Sequence, residues 1–287
     1  MICKIVAEIG ATHIGDINRA KDLINLAVLA GADYVKFQKR NPHESTPEEM
    51  KHKPHPNKKF AYGETYLEHR INLELGIDAH RELKEYCELR NIGYATSVWD
   101  ISSAHEIINL NPDFIKVPSA CNNNKDLLNI LFYEYEGDIH LSTGMLRQEE
   151  KLDLFNYLMK SSVRDHAKRI VLYHCTSEYP CPFERLYLNE IKTLMEWYEP
   201  LKAIGFSNHG FGIAADVAAY MLGARWIERH FIDDRTFRHT DASASLEPDG
   251  LRRLCRDLKM VPKALQYKDG MSEEEEEQRR KLKKSHD

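Results

Sequence analysis

The chain has 287 residues, 42% of them hydrophobic and 30% charged, with a formal net charge of −5 and an isoelectric point near 6.3. That length suits one large core, near the roughly 250 residues at which a closed (β/α)8 barrel is complete. The slight acidic excess argues against a nucleic-acid partner, which would need a basic footprint, and no run approaches the ~20 apolar residues of a membrane span.

Short β-rich runs alternate with longer helical patterns eight times. The predicted strands are 4–9, 34–38, 94–99, 114–119, 139–143, 170–175, 203–207 and 226–231. Runs of this length bounded by turns fit buried parallel strands. After the first strand, Ala20, Leu23, Ile24 and Ala27 fall on one helical face, with Asp16 placed to cap the start and Gly31 to stop it. Residues 39–77 form a long insertion after the second strand, rich at first in Pro, His, Lys and Glu. Its length predicts a lid or an oligomer contact. After the seventh strand, Ala214, Val217, Ala218 and Met221 predict the buried face of a helix. After the eighth, Leu251, Leu254, Leu258, Val261 and Leu265 do the same, with Pro248 near the helix start. From Ser272, the acidic block Glu273–Glu277 precedes Arg279, Arg280 and Lys281, which predicts a solvated helix or tail.

Eight rounds of alternation predict an α/β protein of the (β/α)8, or TIM-barrel, class over residues 1–270, with a charged segment at 271–287. A doubly wound open sheet is the alternative, but no G-x-G-x-x-G follows the first strand. The six cysteines are scattered without C-x2-C spacing, and the short apolar start is broken by Lys4 and Glu8. Reduced thiols and a cytoplasmic location are the expectation.

In such a barrel the chemistry sits at the C-terminal ends of the strands. Nearly every predicted strand carries a polar residue there: Glu8; Lys36 and Gln38; Thr96; Lys116 and Ser119; Ser142 and Thr143; His174, Cys175 and Thr176; Ser207, Asn208 and His209; Glu228 and His230. Unpaired charges inside a barrel are costly, so their convergence predicts a polar ligand. Lys36 and Lys116 suit a phosphate or carboxylate, and Ser119, Ser142 and Ser207 can donate to its oxygens. His209 and His230, on adjacent strands, have the placement to share one divalent metal, with Asp241 in the following loop to complete or orient it. Their sequence separation matches no known metal spacing, and by spacing alone they read as a pair of hydrogen-bonded histidines before they read as a metal site.

These residues lie in stretches that together resemble the N-acetylneuraminate (sialic acid) synthase family: AEIGATHIGD at 7–16, AGADYVKFQ at 30–38, FIKVPSACNN at 114–123, LSTGM at 141–145, YHCTSEYPCPFE at 173–184, IGFSNHGFGIA at 204–214 and WIERHF at 226–231. The resemblance runs in the family's order over residues 4–268. It implies condensation of phosphoenolpyruvate with an open-chain aldose such as N-acetylmannosamine, releasing phosphate and giving a nine-carbon 2-keto acid. It implies a divalent ion, Mn2+ or Mg2+, on His209 and His230. Lys36, Lys116, Ser119, Ser142 and Ser207 then resemble the phosphoenolpyruvate pocket, with Thr96 beside it. Glu8, Gln38, Tyr179 and Asp241 resemble the metal-side and sugar-side contacts. A homodimer is implied as well.

The sequence departs from the family pattern in three places. The acid that usually follows the strand-4 motif is replaced by Cys121, which puts proton handling at that position in question; a neutral pocket thiol is the expectation. The usual Ser-Asp-His of strand 7 is Ser207-Asn208-His209, one negative charge fewer. The sequence ends at Asp287, about where typical members begin a small antifreeze-like domain that lends a sugar-binding arginine. The acceptor is therefore the less defined half of the expected reaction. Two alternatives stay open: a deoxy-heptulosonate- or deoxy-octulosonate-phosphate type of synthase, for which Arg147, Arg229, Arg235 and Arg238 would be candidate contacts, and a barrel that binds sugar without turnover.

Overall fold

A computed structural model of the chain describes residues 3–160, 163, 165–197 and 199–284. The first two residues of the expected barrel and the last three of the charged segment lie outside the described residues.

Eight parallel strands close into a barrel in sequence order: β1 (Lys4–Gly10), β2 (Tyr34–Lys39), β3 (Gly93–Val98), β4 (Phe114–Val117), β5 (Asp138–Ser142), β6 (Ile170–Cys175), β7 (Ala203–Asn208) and β8 (Trp226–His230). β1 pairs with both β2 and β8, which removes the sheet edges. All eight predicted strands are present. The fourth is shorter than expected, because Ser119–Cys121 turns into a 3-10 helix.

The first helix, α1 (Ile17–Ala30), follows the sequence pattern. Asp16 accepts from the backbone N–H groups of Asn18 and Arg19, and Gly31 ends the helix at φ 88°. The insertion is ordered rather than loose. It contains α2 (Pro42–Ser45), α3 (Glu48–Lys51) and α4 (Tyr66–Leu73), and α4 opens with a reciprocal capping box between Thr65 and Glu68. The Tyr62 hydroxyl donates to the carbonyl of Arg238, and the Arg238 guanidinium donates to the carbonyl of Ala61. The insertion is thus tied to the loop after β8. Gly15 permits this packing: a Cβ there would lie 2.6 Å from the Asn72 carbonyl oxygen, on a backbone already at φ +76°.

The remaining helices are α5 (Ile77–Leu89), α6 (Ile101–Leu110), α7 (Lys125–Glu134), α8 (Gln148–Leu158), α9 (Glu190–Trp197), α10 (Ala214–Met221), α11 (Pro248–Ala264) and α12 (Glu273–Leu282). α10 corrects the sequence reading. Its buried face is Ala215, Asp216, Ala219 and Tyr220, whereas Met221 is exposed. A pattern built on apolar residues alone misses a face that carries a buried carboxylate. In α11, Leu251, Leu254, Cys255 and Leu258 are buried, and Leu265 lies half exposed beyond the helix end. α12 buries nothing. Its acidic first turn and basic last turn complement the helix dipole. Among the described residues, no helix is long and apolar enough to cross a membrane.

Strand side chains alternate between the barrel interior and the layer under the helices. Val6, Ala95, Phe114, Val171, Tyr173 and Trp226 form an interior plug. His140 stacks on Phe114 at 3.7 Å and bonds the Tyr173 hydroxyl at 2.9 Å. The other face packs against the helices. There His80 of α5 shares a 2.6 Å hydrogen bond with the Tyr94 hydroxyl. Burial lowers the His80 pKa from 6.5 to about 3, so it folds neutral.

A histidine depressed in the native state gives stability that is present above its unfolded pKa and lost as pH falls below it. Between pH 6.5 and 5, His80 should account for about 2 kcal/mol of lost stability, at ~1.4 kcal/mol per pH unit. Urea unfolding at pH 7 and pH 5 checks this. His80→Gln is expected to show the shallower pH dependence, and identical slopes would contradict the assignment.

Candidate active site

Above the interior plug the inward positions turn polar. A cavity of about 240 Å3 opens there, lined by residues that include Glu8, Lys36, Ser97, Lys116, Ser207 and Glu228. The register explains why these meet: Glu8 lies opposite Lys36, Ser97 opposite Lys116, and Ser207 opposite Glu228.

These groups form one buried chain. Lys36 pairs with Glu8, donates to Ser97 Oγ at 2.6 Å and lies 3.8 Å from Glu228 Oε2. Lys116 donates to Glu228 Oε1 at 2.5 Å, and Ser207 Oγ donates to the same oxygen at 3.2 Å. Gln38 Nε2 donates to Glu8 Oε1 at 2.8 Å. Burial works to raise the Glu228 carboxyl, but Lys116 and Lys36 outweigh it and bring the group down to about 2. Glu8 goes the other way: burial raises it and Lys36 only partly compensates. One carboxylate is therefore firmly ionised, while the other is held above the ordinary range.

On one flank, Ser119 Oγ lies 2.8 Å from Ser142 Oγ. Asn122 Nδ2 donates to the carbonyls of Ser142 and Gly144, which fastens the ends of β4 and β5 together. A Cβ at Gly144 would come within 2.5 Å of Ser119 Oγ and Ser177 Oγ, so glycine keeps this hydroxyl cluster open. Cys175 also lines the cavity, 3.9 Å from His209 Nδ1. Burial opposes its thiolate, yet the neighbouring imidazole and Lys116 shift the thiol downward.

On the opposite flank stand the two histidines. Their ring centroids are 5.3 Å apart, and the Tyr179 ring packs 4.1 Å from that of His209. His209 Nδ1 lies 2.9 Å from the Thr176 carbonyl, which can only accept, so Nδ1 carries a proton. Burial works to lower His209, but Cys175 and the Thr176 carbonyl raise it, and in the neutral ring the lone pair is on Nε2. His230 Nδ1 is buried without a hydrogen-bond partner. Asp241 Oδ2 lies 3.9 Å from it and 3.7 Å from His239 Nδ1. Burial works against the Asp241 carboxylate, but His230, His239 and Arg70 hold it down to about 2. Two imidazoles with available lone pairs fit a divalent cation. Among the described residues, no group of three or more His, Cys, Asp or Glu side chains converges in metal-binding fashion, so most coordination positions would fall to substrate or water.

Of the predicted site residues, Glu8, Lys36, Gln38, Lys116, Ser119, Tyr179, Ser207, His209, His230 and Asp241 line this cavity. Ser142 is one hydrogen bond behind it. Three others lie elsewhere. Thr96 points outward and donates to the Tyr94 hydroxyl at 2.9 Å; the pleat gives its place to Ser97. Cys121 is turned away by the 3-10 helix. Its thiol contacts the Trp99 carbonyl at 3.4 Å, and burial pushes it up to about 11, so it is a neutral thiol, though not in the pocket. Asn208 donates to Asp216 Oδ1 at 2.8 Å and accepts from the Gly210 N–H at 2.7 Å. Of the other strand-end groups, His174 is spent on the Leu186 carbonyl and Thr143 on the Tyr173 carbonyl.

Asn208 belongs to a buried structural network. Arg229 pairs with Asp216 at 2.7 Å and donates to the carbonyls of Gly210 and Gly212. This holds the loop after β7, and with it His209, in place. It also removes Arg229 as a ligand contact. Sequence reasoning missed Ser97, Arg40 and Arg70. Period-2 counting along β3 gives Ser97 once the inward phase of the strand is known, whereas the two arginines had no signal in spacing.

The site is thus a lysine- and serine-lined cavity beside two imidazoles at the strand ends of an eight-stranded parallel barrel, which places the chain in the (β/α)8 class. Residues 23–270 match the NeuB family. The chain is 35% identical over 261 residues to the N,N'-diacetyllegionaminic acid synthase of Campylobacter jejuni, covering 91% of this chain and 77% of that one. It is 34% identical over 263 residues to human N-acetylneuraminate-9-phosphate synthase, covering 92% and 71%. Among solved structures it resembles the N-acetylneuraminic acid synthetase of Leptospira borgpetersenii in complex with citrate, with a TM-score of 0.80, 27% identity, and 99% and 94% coverage. The chain belongs to the NeuB family.

Removing the carboxylate of Asp216 leaves the Arg229 charge buried and alone. Asp216→Ala is expected to cost about 3–5 kcal/mol in urea unfolding, with much of it recovered in an Asp216→Leu/Arg229→Met double variant. A single-variant loss below 1 kcal/mol would mean that the pair carries little of the fold.

Proposed function

We propose that the protein condenses phosphoenolpyruvate with an open-chain amino-aldose, giving a nine-carbon 2-keto sugar acid and inorganic phosphate. The observation that carries this reading is the convergence of Lys36 and Lys116 on one buried carboxylate, Glu228, in the same cavity as His209 and His230. The names of the similar proteins support it: a legionaminic acid synthase, an N-acetylneuraminate-9-phosphate synthase and an N-acetylneuraminic acid synthetase.

In this reading the enol carbon of phosphoenolpyruvate attacks the aldehyde carbon, water adds at C2, and the C2–oxygen bond to phosphate breaks. Lys116 and Lys36 hold the anionic nucleophile, and Glu228 keeps both ammonium groups aimed into the cavity. Ser119 adds a donor to its oxygens, backed by Ser142, while Ser207 donates to Glu228 and steadies that carboxylate. Fixing the nucleophile beside the carbonyl turns a bimolecular encounter into a positioned one. Tyr179 covers His209 and shields that flank from water. His209 and His230 would hold Mn2+ or Mg2+, which when bound supplies Lewis-acid polarisation of the aldehyde oxygen. Cys121, with its raised pKa and its contact to Trp99, has no part in the chemistry.

Phosphate release from phosphoenolpyruvate with Mn2+ should depend on an added aldose. A panel of hexosamines, hexoses and pentoses that elicits no release refutes the reading. Lys116→Met keeps the aliphatic stem and removes the charge. It is expected to weaken phosphoenolpyruvate binding by about 10- to 100-fold in calorimetry, the loss of one charge-assisted hydrogen bond; unchanged affinity would dissociate Lys116 from that ligand. Cys121→Ser should turn over within about threefold of the parent, as suits a packing thiol. A loss of several orders of magnitude would give the thiol a chemical role.

A further inference from the structure

The cavity holds four cationic side chains, and they fall into two kinds. Lys36 and Lys116 are neutralised from within by Glu8 and Glu228. Arg40 and Arg70 also line the cavity, but among the described residues neither has a carboxylate oxygen within 4.0 Å of its guanidinium.

Both guanidiniums are held in position. Arg40 stacks 3.4 Å over the Trp99 ring and donates from Nη2 to Gln38 Oε1 at 2.5 Å. Arg70 sits over Tyr66 and donates from Nη2 to its hydroxyl at 2.5 Å. Their other guanidinium nitrogens have no acceptor among the described residues. Two carboxylates act on this corner without pairing with either guanidinium: Glu74, occupied by the Arg40 backbone N–H and by Lys39, and Asp241, which lines the same cavity and faces His230 and His239. Burial, followed by the charge of Arg70, lowers Arg40 to about 9, with Glu74 and Asp241 opposing the shift.

The other arginines near the rim are spent. Arg19 pairs with Asp233, Arg229 with Asp216, and Arg235 and Arg238 donate to the carbonyls of Ser243 and Ala61. Arg147 opens α8 and does not line the cavity. The four arginines that the sequence offered for a phosphorylated acceptor are therefore not those that reach the site.

Position separates this pair from the lysines. Arg40 follows β2, and Arg70 is on α4, in the wall tied to the β8 loop that carries His239 and Asp241. Both arginines act electrostatically on His239, whereas the serine and Cys175 flank lies beside Lys116. An aldose whose aldehyde meets the lysine-held nucleophile must direct its far end elsewhere in the cavity. Two guanidiniums with free donors suit a phosphate dianion, which accepts bidentate bonds and offsets both charges.

Resting on the condensation reading above, we propose that the acceptor is a sugar phosphate, its terminal phosphate monoester held between Arg40 and Arg70. The names of the similar proteins divide on this point, one with a phosphate in its product and one without, so family membership leaves the acceptor open.

Steady-state kinetics of phosphoenolpyruvate consumption with Mn2+, using N-acetylmannosamine and N-acetylmannosamine 6-phosphate in parallel, test the proposal. The full chain should favour the 6-phosphate by about 100-fold or more in kcat/KM, the worth of two charge-assisted bonds. Arg70→Gln and Arg40→Gln should each collapse that ratio by at least about tenfold, through KM for the phosphorylated sugar rather than KM for phosphoenolpyruvate. Circular dichroism confirms that each variant is folded, and Arg70→Lys should restore part of the ratio. Equal or better use of the neutral sugar, with a ratio indifferent to both substitutions, overturns the proposal and leaves the condensation standing. A rise in KM for phosphoenolpyruvate in the variants assigns the arginines to that substrate and overturns it equally. Turnover with neither N-acetylmannosamine nor its 6-phosphate overturns this proposal, while the condensation reading falls only if the wider aldose panel fails as well.

Discussion

Four charges lie buried at the neck of the barrel, and the site is organised around satisfying them. Glu8, Lys36, Lys116 and Glu228 come from β1, β2, β4 and β8, so each pair stays paired only if the barrel closes in this register. An unpartnered charge at that depth costs several kcal/mol, which penalises any slip. A slip of one residue would also send every inward side chain to the helix layer. The chain of charges therefore fixes the register and sets the chemistry together. It leaves Glu228 ionised beneath two ammonium groups and Glu8 above its ordinary range.

The same logic recurs outside the cavity, with a different outcome. Asn208, Asp216 and Arg229 form a second buried polar network, facing the helices. It holds no ligand-facing group, yet it anchors the loop that presents His209. Buried polar residues in this protein thus divide by face. Inward ones meet the cavity, and outward ones brace the elements that shape it. Thr96 and Ser97, adjacent on β3, stand on the two sides of that division.

The insertion after β2 and the loop after β8 act as one wall, because Tyr62 and Arg238 cross-tie them. This wall brings Arg70 to the cavity from a helix outside the eightfold repeat. The barrel proper supplies the lysines, hydroxyls and imidazoles. The corner where Arg40 stacks on Trp99 supplies the guanidiniums. Rigid strand ends and a separately folded insertion thus contribute different groups to one cavity, a division that (β/α)8 folds permit.

The sequence by itself determined the barrel, the eight strands, the caps of α1 and most cavity residues, because alternation, length and turn residues are local properties. The motif stretches carried Lys36, Lys116, His209 and His230 to their strand ends. Only the tertiary structure decided which polar residue of each strand faces inward. Ser97 replaced Thr96 because side chains alternate by single residues, while strand limits are legible only to within one or two. Asn208 left the site because Asp216, the one carboxylate on the buried face of α10, drew it away. Cys121 was turned out by a three-residue 3-10 helix that no periodicity announces. Arg40 and Arg70, thirty residues apart and in no motif, meet in one cavity only because the insertion folds back onto the rim. Proximity between distant segments is a property of packing, which no local pattern in the sequence records.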